Sequence, residues 1–254
     1  MARRATVING VRASASEPVL LLDAGGTLLG QALADATDGA VIVAAMNAMG
    51  YDALTVGQAE LQQGLDTLRK RALEASFPIL SCNLVIGQDD QPIFDPYAVV
   101  LRGGIRFGII GVSEADMGWL DSLTEVRILD PLASVRRILP EVRAQSDVVI
   151  LLSHLGLEGD KSLAQAEPRI DIIVGGRTRQ ILDEPVLVGG TVIVQAGYDG
   201  EWLGRLDVAL DEQHRISQPL VEIVTLWPEV ADDPAMTTLA DSYKQRFLSQ
   251  TPAN

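Results

Sequence analysis
The sequence predicts an α/β domain, a parallel or mixed sheet with helices outside it, followed by a β-rich second half. Three observations carry that expectation. Apolar runs of strand length alternate with stretches of helical periodicity up to the region of Pro185. Hydrophobic residues make up 47% of a 254-residue chain, enough for a substantial core. Beyond Pro185, short β segments follow one another between glycine and charged turns.

Taken in order, Ala2 to Ala13 forms a short helix presenting Val7, Ile8 and Val11. Val19-Leu20-Leu21-Leu22 is a buried-strand run ended by Gly25-Gly26. A helix over 38–49 carries Val41 to Met46, apolar on nearly every side and so buried on most of them. Ala53 to Val56 is a second strand, 64–74 a helix, and 78–84 a third strand. Tyr97 to Val112 reads as a hairpin turning at Gly103-Gly104. Pro131 opens a helix where a missing N–H costs nothing; Leu132, Val135, Ile138, Leu139 and Val142 form its inner stripe, and Pro140 is expected to kink it. Strands over 147–153 and 170–174 flank a helix over 161–166. The β segments 186–188, 191–195, 203–210 and 216–223 follow. Asp233-Pro234 opens a closing helix with Met236, Leu239, Tyr243 and Phe247 on one face. No repeat or low-complexity linker divides the chain, so 1–254 reads as a single domain.

Composition excludes several functions. With 20 Lys+Arg against 34 Asp+Glu, the net charge is −14, which argues against nucleic-acid and anionic-membrane partners. The two histidines, His154 and His214, exclude a site that needs several imidazoles. One cysteine, Cys82, excludes an internal disulfide or a cysteine-rich metal site, and its strand neighbours FPILSCNLV make it a core thiol. Neither a continuous apolar signal region nor a membrane-length run is visible, so the expected location is cytoplasmic.

Polar residues gather where strands end, the usual place for chemistry in α/β folds. These are Asp23 after VLLL, Gln58 and Glu60 after ALTV, Ser153 and His154 after VVILL, and Arg177 and Arg179 after DIIVGG. Strand ends are also where such folds turn to solvent, so the residues alone leave both readings open. His154 reads as a metal or anion ligand or as a hydrogen-bonded structural histidine, and His214 as part of an exposed turn. The acidic run LGLEGD, 155–160, falls short of a calcium loop.

Read together, these strings resemble the catalytic domain of the calcineurin-like metallophosphoesterases, in the branch of the 5′-nucleotidases and 2′,3′-cyclic-nucleotide phosphodiesterases. ARRATVINGVRA resembles the family's first helix, VLLLDAGGTLLG its LLLDAGD element, and NAMGYDALTVGQAEL its GNHE element. ILSCNL, IRFGIIGV, VVILLSHLGLEGDKSLAQ, IDIIVGGRTR and VIVQAGYDGEWLGRLDV follow in the family's order. The resemblance implies a four-layered α/β/β/α sandwich, here without the family's first strand and without its C-terminal nucleotide-specificity domain.

It also implies two divalent metals about 3.5–4 Å apart that activate water and stabilise charge on phosphorus. Against that pattern, the bridging aspartate falls on Gly26, the asparagine ligand on Gln58 and the catalytic histidine on Ala59. Two further histidine ligands fall on Arg177 and Arg179, which have no lone pair to donate. His154 alone keeps a matching ligand. The expectation is a vestigial cleft of Asp23, Gly26, Gln58, Glu60, His154, Arg177 and Arg179 without cofactor, in a binding or structural subunit. Arg177 and Arg179 are expected to pair with Asp23 or Glu60, or to hold a small anion such as phosphate. The missing strand adds the expectation of a homo-oligomer or protein complex. The alternative is an active phosphoric ester hydrolase on nucleotide-like substrates, using Mn, Zn or another divalent metal in a rebuilt site that includes His154.

Overall fold
The computed structural model describes residues 1–114 and 126–250. Its helices are α1 (Ala2–Ser14), α2 (Ala32–Ala36), α3 (Ala40–Met49), α4 (Leu65–Glu74), α5 (Pro131–Gln145), α6 (Leu157–Ala166) and α7 (Pro234–Gln250). The first strands, β1 (Leu22–Asp23), β2 (Ala53–Thr55) and β3 (Ile79–Leu80), form a parallel three-stranded sheet in the order β1-β2-β3. The larger sheet has six strands: β6 (Tyr97–Arg102), β7 (Ile105–Val112), β9 (Val148–Ser153), β10 (Ile172–Gly175), β11 (Val186–Val188) and β12 (Thr191–Val194). Their order is β11-β12-β10-β9-β7-β6, parallel through the centre with an antiparallel hairpin at each edge. A small sheet joins β4 (Leu84–Ile86) to β5 (Gln91–Pro92) and β8 (Val126–Ile128), and β13 (Trp202–Leu210) pairs with β14 (Ile216–Thr225).

The layers follow from side-chain alternation. Every residue of β9 is buried: Val149 and Leu151 enter one core, Val148, Ile150 and Leu152 another. The first core is the contact with α5 and α6, through Val135, Leu139, Val142 and Leu163. The second lies between the two main sheets, where Ala53 and Leu80 meet Ile109, Ile150 and Ile172. A third core packs α1, α3, α4 and α7 on the far side of the smaller sheet, through Ile8, Met46, Leu54, Leu68 and Met236. Helix, sheet, sheet and helix thus stack as the expected four layers.

Several boundaries differ from expectation for local reasons. Only Leu22 and Asp23 of the VLLLD run pair in the sheet; the Leu21 amide goes to the Asp52 carboxylate instead, at 2.8 Å. The strand expected over 78–84 is two strands in different sheets. Between them Asn83 accepts from the Ser113 amide at 2.9 Å and donates to its carbonyl at 2.8 Å. Helix α6 starts at Leu157 rather than 161, because Gly156 at φ 85° serves as its N-cap and Glu158 favours its positive end.

Helix α1 closes the helical layer. Arg12 donates to the carbonyls of Met49 and Gly50, which gives the end of α3 the donors it lacks, and Arg3 donates to the Leu226 carbonyl at 3.2 Å. Gly111 sets the spacing of the two sheets, since a Cβ there would overlap the backbone and side chain of Leu80. We expect Gly111→Ala to destabilise the domain by about 1–3 kcal/mol through overpacking. Chemical denaturation checks this; an unchanged midpoint would contradict the assigned sheet contact.

Candidate functional site
Three loops build the cleft: the one after β1, the turn after β2 and the one after β9. Their hub is Glu60, which is 3% exposed and sits in a short 3-10 turn, Ala59–Leu61. Glu60 Oε2 accepts from the amides of Gly26 at 2.7 Å and Gly57 at 2.8 Å. Its Oε1 accepts from those of Thr27 at 2.7 Å and Leu28 at 3.0 Å. One carboxylate thereby satisfies four amides from two loops.

Asp23 stands at the end of β1. It accepts from the Gly25 amide and the Thr27 hydroxyl, both at 3.0 Å. Burial pushes its carboxyl up to about 6; the Arg4 guanidinium opposes the rise and Glu60 adds to it. Arg4 reaches over from α1 and donates to the Tyr51 hydroxyl at 3.4 Å. The proximity of Tyr51 and Asp23 raises its own pKa against desolvation.

His154 is 5% exposed. Its Nδ1 lies 2.8 Å from the Ala24 carbonyl, which only accepts, so Nδ1 is the donor of that bond. Glycines line the ring. A Cβ at Gly26 would come within 3.1 Å of Cε1, at Gly57 within 2.7 Å of Cε1 and Nε2, and at Gly176 within 3.1 Å of Nδ1. The imidazole therefore fills volume that side chains at those positions would need.

The expected cleft residues divide into two groups. Asp23, Gly26, Glu60 and His154 come together through this network. Gln58 is exposed, and Ala59 packs against the helical-side core. Arg177 and Arg179 do not pair with Asp23 or Glu60 as expected. Arg177 instead forms an ion pair with Glu114, and the Arg179 guanidinium lies 5.5 Å from the centre of the Tyr198 ring. Both arginines have left-handed backbone, φ 69° and 56°. Glu158 pairs with Lys161 on the exposed side of α6 at 2.8 Å, while Asp160 is buried, so the acidic run is split between surface and core. Cys82 is a buried thiol pushed up to about 12 by desolvation, and His214 sits in the exposed turn expected of it.

Sequence reasoning missed Arg4 and Glu114. Arg4 was legible in principle: it lies one turn before Ile8 and beside Ala5, the buried residues of α1. Glu114 carries no comparable signal, because its pairing with Arg177 depends on how two distant loops meet.

At the positions that the resemblance assigns to metal ligands stand Gly26, the exposed Gln58, Arg177, Arg179 and His154, and Ala59 stands at that of the catalytic histidine. Among the described residues, no group of three or more His, Cys, Asp and Glu is placed to hold a metal ion. Nor is any helix of the described residues long and apolar enough to cross a membrane.

No family model matches the chain. Individual relatives do. Protein UshA of Yersinia enterocolitica is 26% identical over 308 residues, covering 98% of this chain and 55% of that protein. A 5′-nucleotidase of Vibrio cholerae is 29% identical over 244 residues, covering 82% of this chain and 44% of the relative. The crystal structure of a 5′-nucleotidase precursor from Thermus thermophilus superposes with a TM-score of 0.86 at 28% identity, over 98% of this chain and 53% of that one. The calcineurin-like phosphoesterase YfkN of Bacillus subtilis gives 0.86 at 22% identity, a likeness of fold, over 98% of this chain and 89% of that one. The chain spans about half the length of the nucleotidase relatives it matches.

The Glu60 network makes a specific forecast. Glu60→Ala leaves four amides without their acceptor, and we expect a loss of at least about 3 kcal/mol. Glu60→Gln should be nearly as damaging, because its amide nitrogen would face two donors. Equilibrium unfolding checks both, and a neutral Gln variant would contradict the assignment.

Proposed function
The chain is homologous to 5′-nucleotidases and has the fold of calcineurin-type phosphoesterase domains; from that premise we propose that it is a non-catalytic member serving as a binding or structural subunit. One observation carries the reading. The family's bridging-aspartate position is Gly26, whose amide is bound by Glu60 and whose Cα faces the ring of His154. No side-chain oxygen is available there to hold two cations, and the neighbouring Glu60 is committed to backbone amides. Arg4 supplies positive charge to Asp23.

A divalent pair would supply activated water and charge stabilisation in a hydrolase of this kind. Here the residues in its place hold loops together. The reading also puts the chain in the cytoplasm, in a homo-oligomer or protein complex, and its charge of −14 favours partners other than nucleic acid or membrane. In its binding form the ligand is a small anion such as phosphate, held by Arg177 and Arg179 without hydrolysis.

Two measurements test this. Metal analysis after incubation with Mn²⁺ or Zn²⁺, with hydrolysis of a chromogenic phosphate ester, is expected to give neither stoichiometric metal nor metal-dependent turnover. Finding both would establish the rebuilt hydrolase instead. Calorimetric titration with inorganic phosphate is expected to show binding that the Arg177→Ala/Arg179→Ala variant lacks. Equal heats for the two proteins would remove the arginines from any anion site.

A further inference from the structure
Asp160 belongs to α6 and is fully buried, at 0% exposure. Its Oδ1 accepts from the Ser153 hydroxyl at the end of β9, while Oδ2 has no hydrogen-bond partner among the described residues. Oδ2 presses on Gly175, the last residue of β10, so closely that a Cβ there would overlap it; the Val194 carbonyl of β12 borders the same spot. Among the described residues, no countercharge faces it from the packed elements. Glu158 and Lys161 of α6 pair with each other toward solvent, and His154, which follows Ser153, directs Nδ1 at Ala24. Neither β10 nor β12 contributes a titratable side chain. An ionised carboxylate in this setting is desolvated and uncompensated, whereas a neutral acid fits.

We propose that Asp160 is a proton-operated latch that, when neutral, holds α6 against the ends of β9 and β10 and, when ionised, loosens that corner. The corner carries Ser153-His154 on one side and Gly175-Gly176-Arg177 on the other, so the latch governs the rigidity of the cleft wall. It does not depend on whether the cleft hydrolyses anything. Burial, opposed by the Ser153 hydroxyl alone, pushes the carboxyl from 3.8 up to about 7. Because the folded value is raised, the folded state holds a proton that the unfolded state has released. The stabilisation is complete below 3.8 and is lost as pH rises through about 7.

The test compares the wild type with Asp160→Asn, a neutral isostere, by equilibrium unfolding across that range and by amide exchange of α6. The ratio of their unfolding constants is expected to climb about tenfold per pH unit between about pH 4 and pH 7, then level off. Exchange of the 157–166 amides, normalised to the Asn variant, is expected to accelerate as pH passes about 7. A flat ratio, or exchange parallel in the two proteins, would overturn the latch. If the Asn variant fails to fold, Ser153→Ala is measured against the wild type: without the hydroxyl that favours ionisation, the ratio of its unfolding constant to that of the wild type must climb as pH rises above about 7. A ratio that stays flat with pH would overturn the proposal equally.

Discussion
The cleft depends on one constraint, the commitment of the Glu60 carboxylate to four backbone amides. Loops that leave adjacent parallel strands carry amides with no sheet partner, and a buried amide must find an acceptor. Glu60 provides it for the loop after β1 and the turn after β2 at once. With those loops fixed, the Ala24 carbonyl is placed to receive Nδ1 of His154, and the glycines of both loops close around the ring. The geometry of the cleft is therefore set by a carboxylate and an imidazole.

Charge is arranged consistently with that centre. Asp23 is the half-buried acid left beside Glu60, and its raised pKa reflects both desolvation and that neighbour. Its compensation comes from Arg4 on the first helix, across a layer boundary. Helix α1 thus links charge balance in the cleft to packing of the helical layer, where Arg12 and Arg3 tie it to α3 and to the segment after β14. The arginines of the GGRTR loop serve other partners, Glu114 and Tyr198.

The succession of strands and helices was legible in the sequence because buried strands read as continuous apolar runs and helix burial as stripes: Val148 to Ser153 and the Val135–Val142 face needed no tertiary information, whereas the four-layer order came from the family resemblance. Boundaries were less legible where a side chain competes with the ladder. Asp52 takes the amide of Leu21, and Asn83 replaces strand pairing beside Cys82. Neither substitution leaves a mark on hydrophobic pattern. At the site, Asp23, Gly26, Glu60 and His154 were identifiable from strand ends and family order. The partners of Arg177 and Arg179, Glu114 and Tyr198, were not, because both arginines lie in a loop beyond the strand Ile172–Gly175, where alternation fixes no direction and the partners come from distant loops.

The central claim is that protein groups occupy the place of a bimetallic centre. Anomalous scattering from crystals grown with excess Mn²⁺ tests it most directly, since it reports the ion and its position together. The account predicts no ordered manganese within coordinating distance of His154 Nε2 and an unchanged Glu60 network. Two anomalous peaks about 3.5–4 Å apart beside His154, with Asp23 or Glu60 turned to coordinate them, would contradict it.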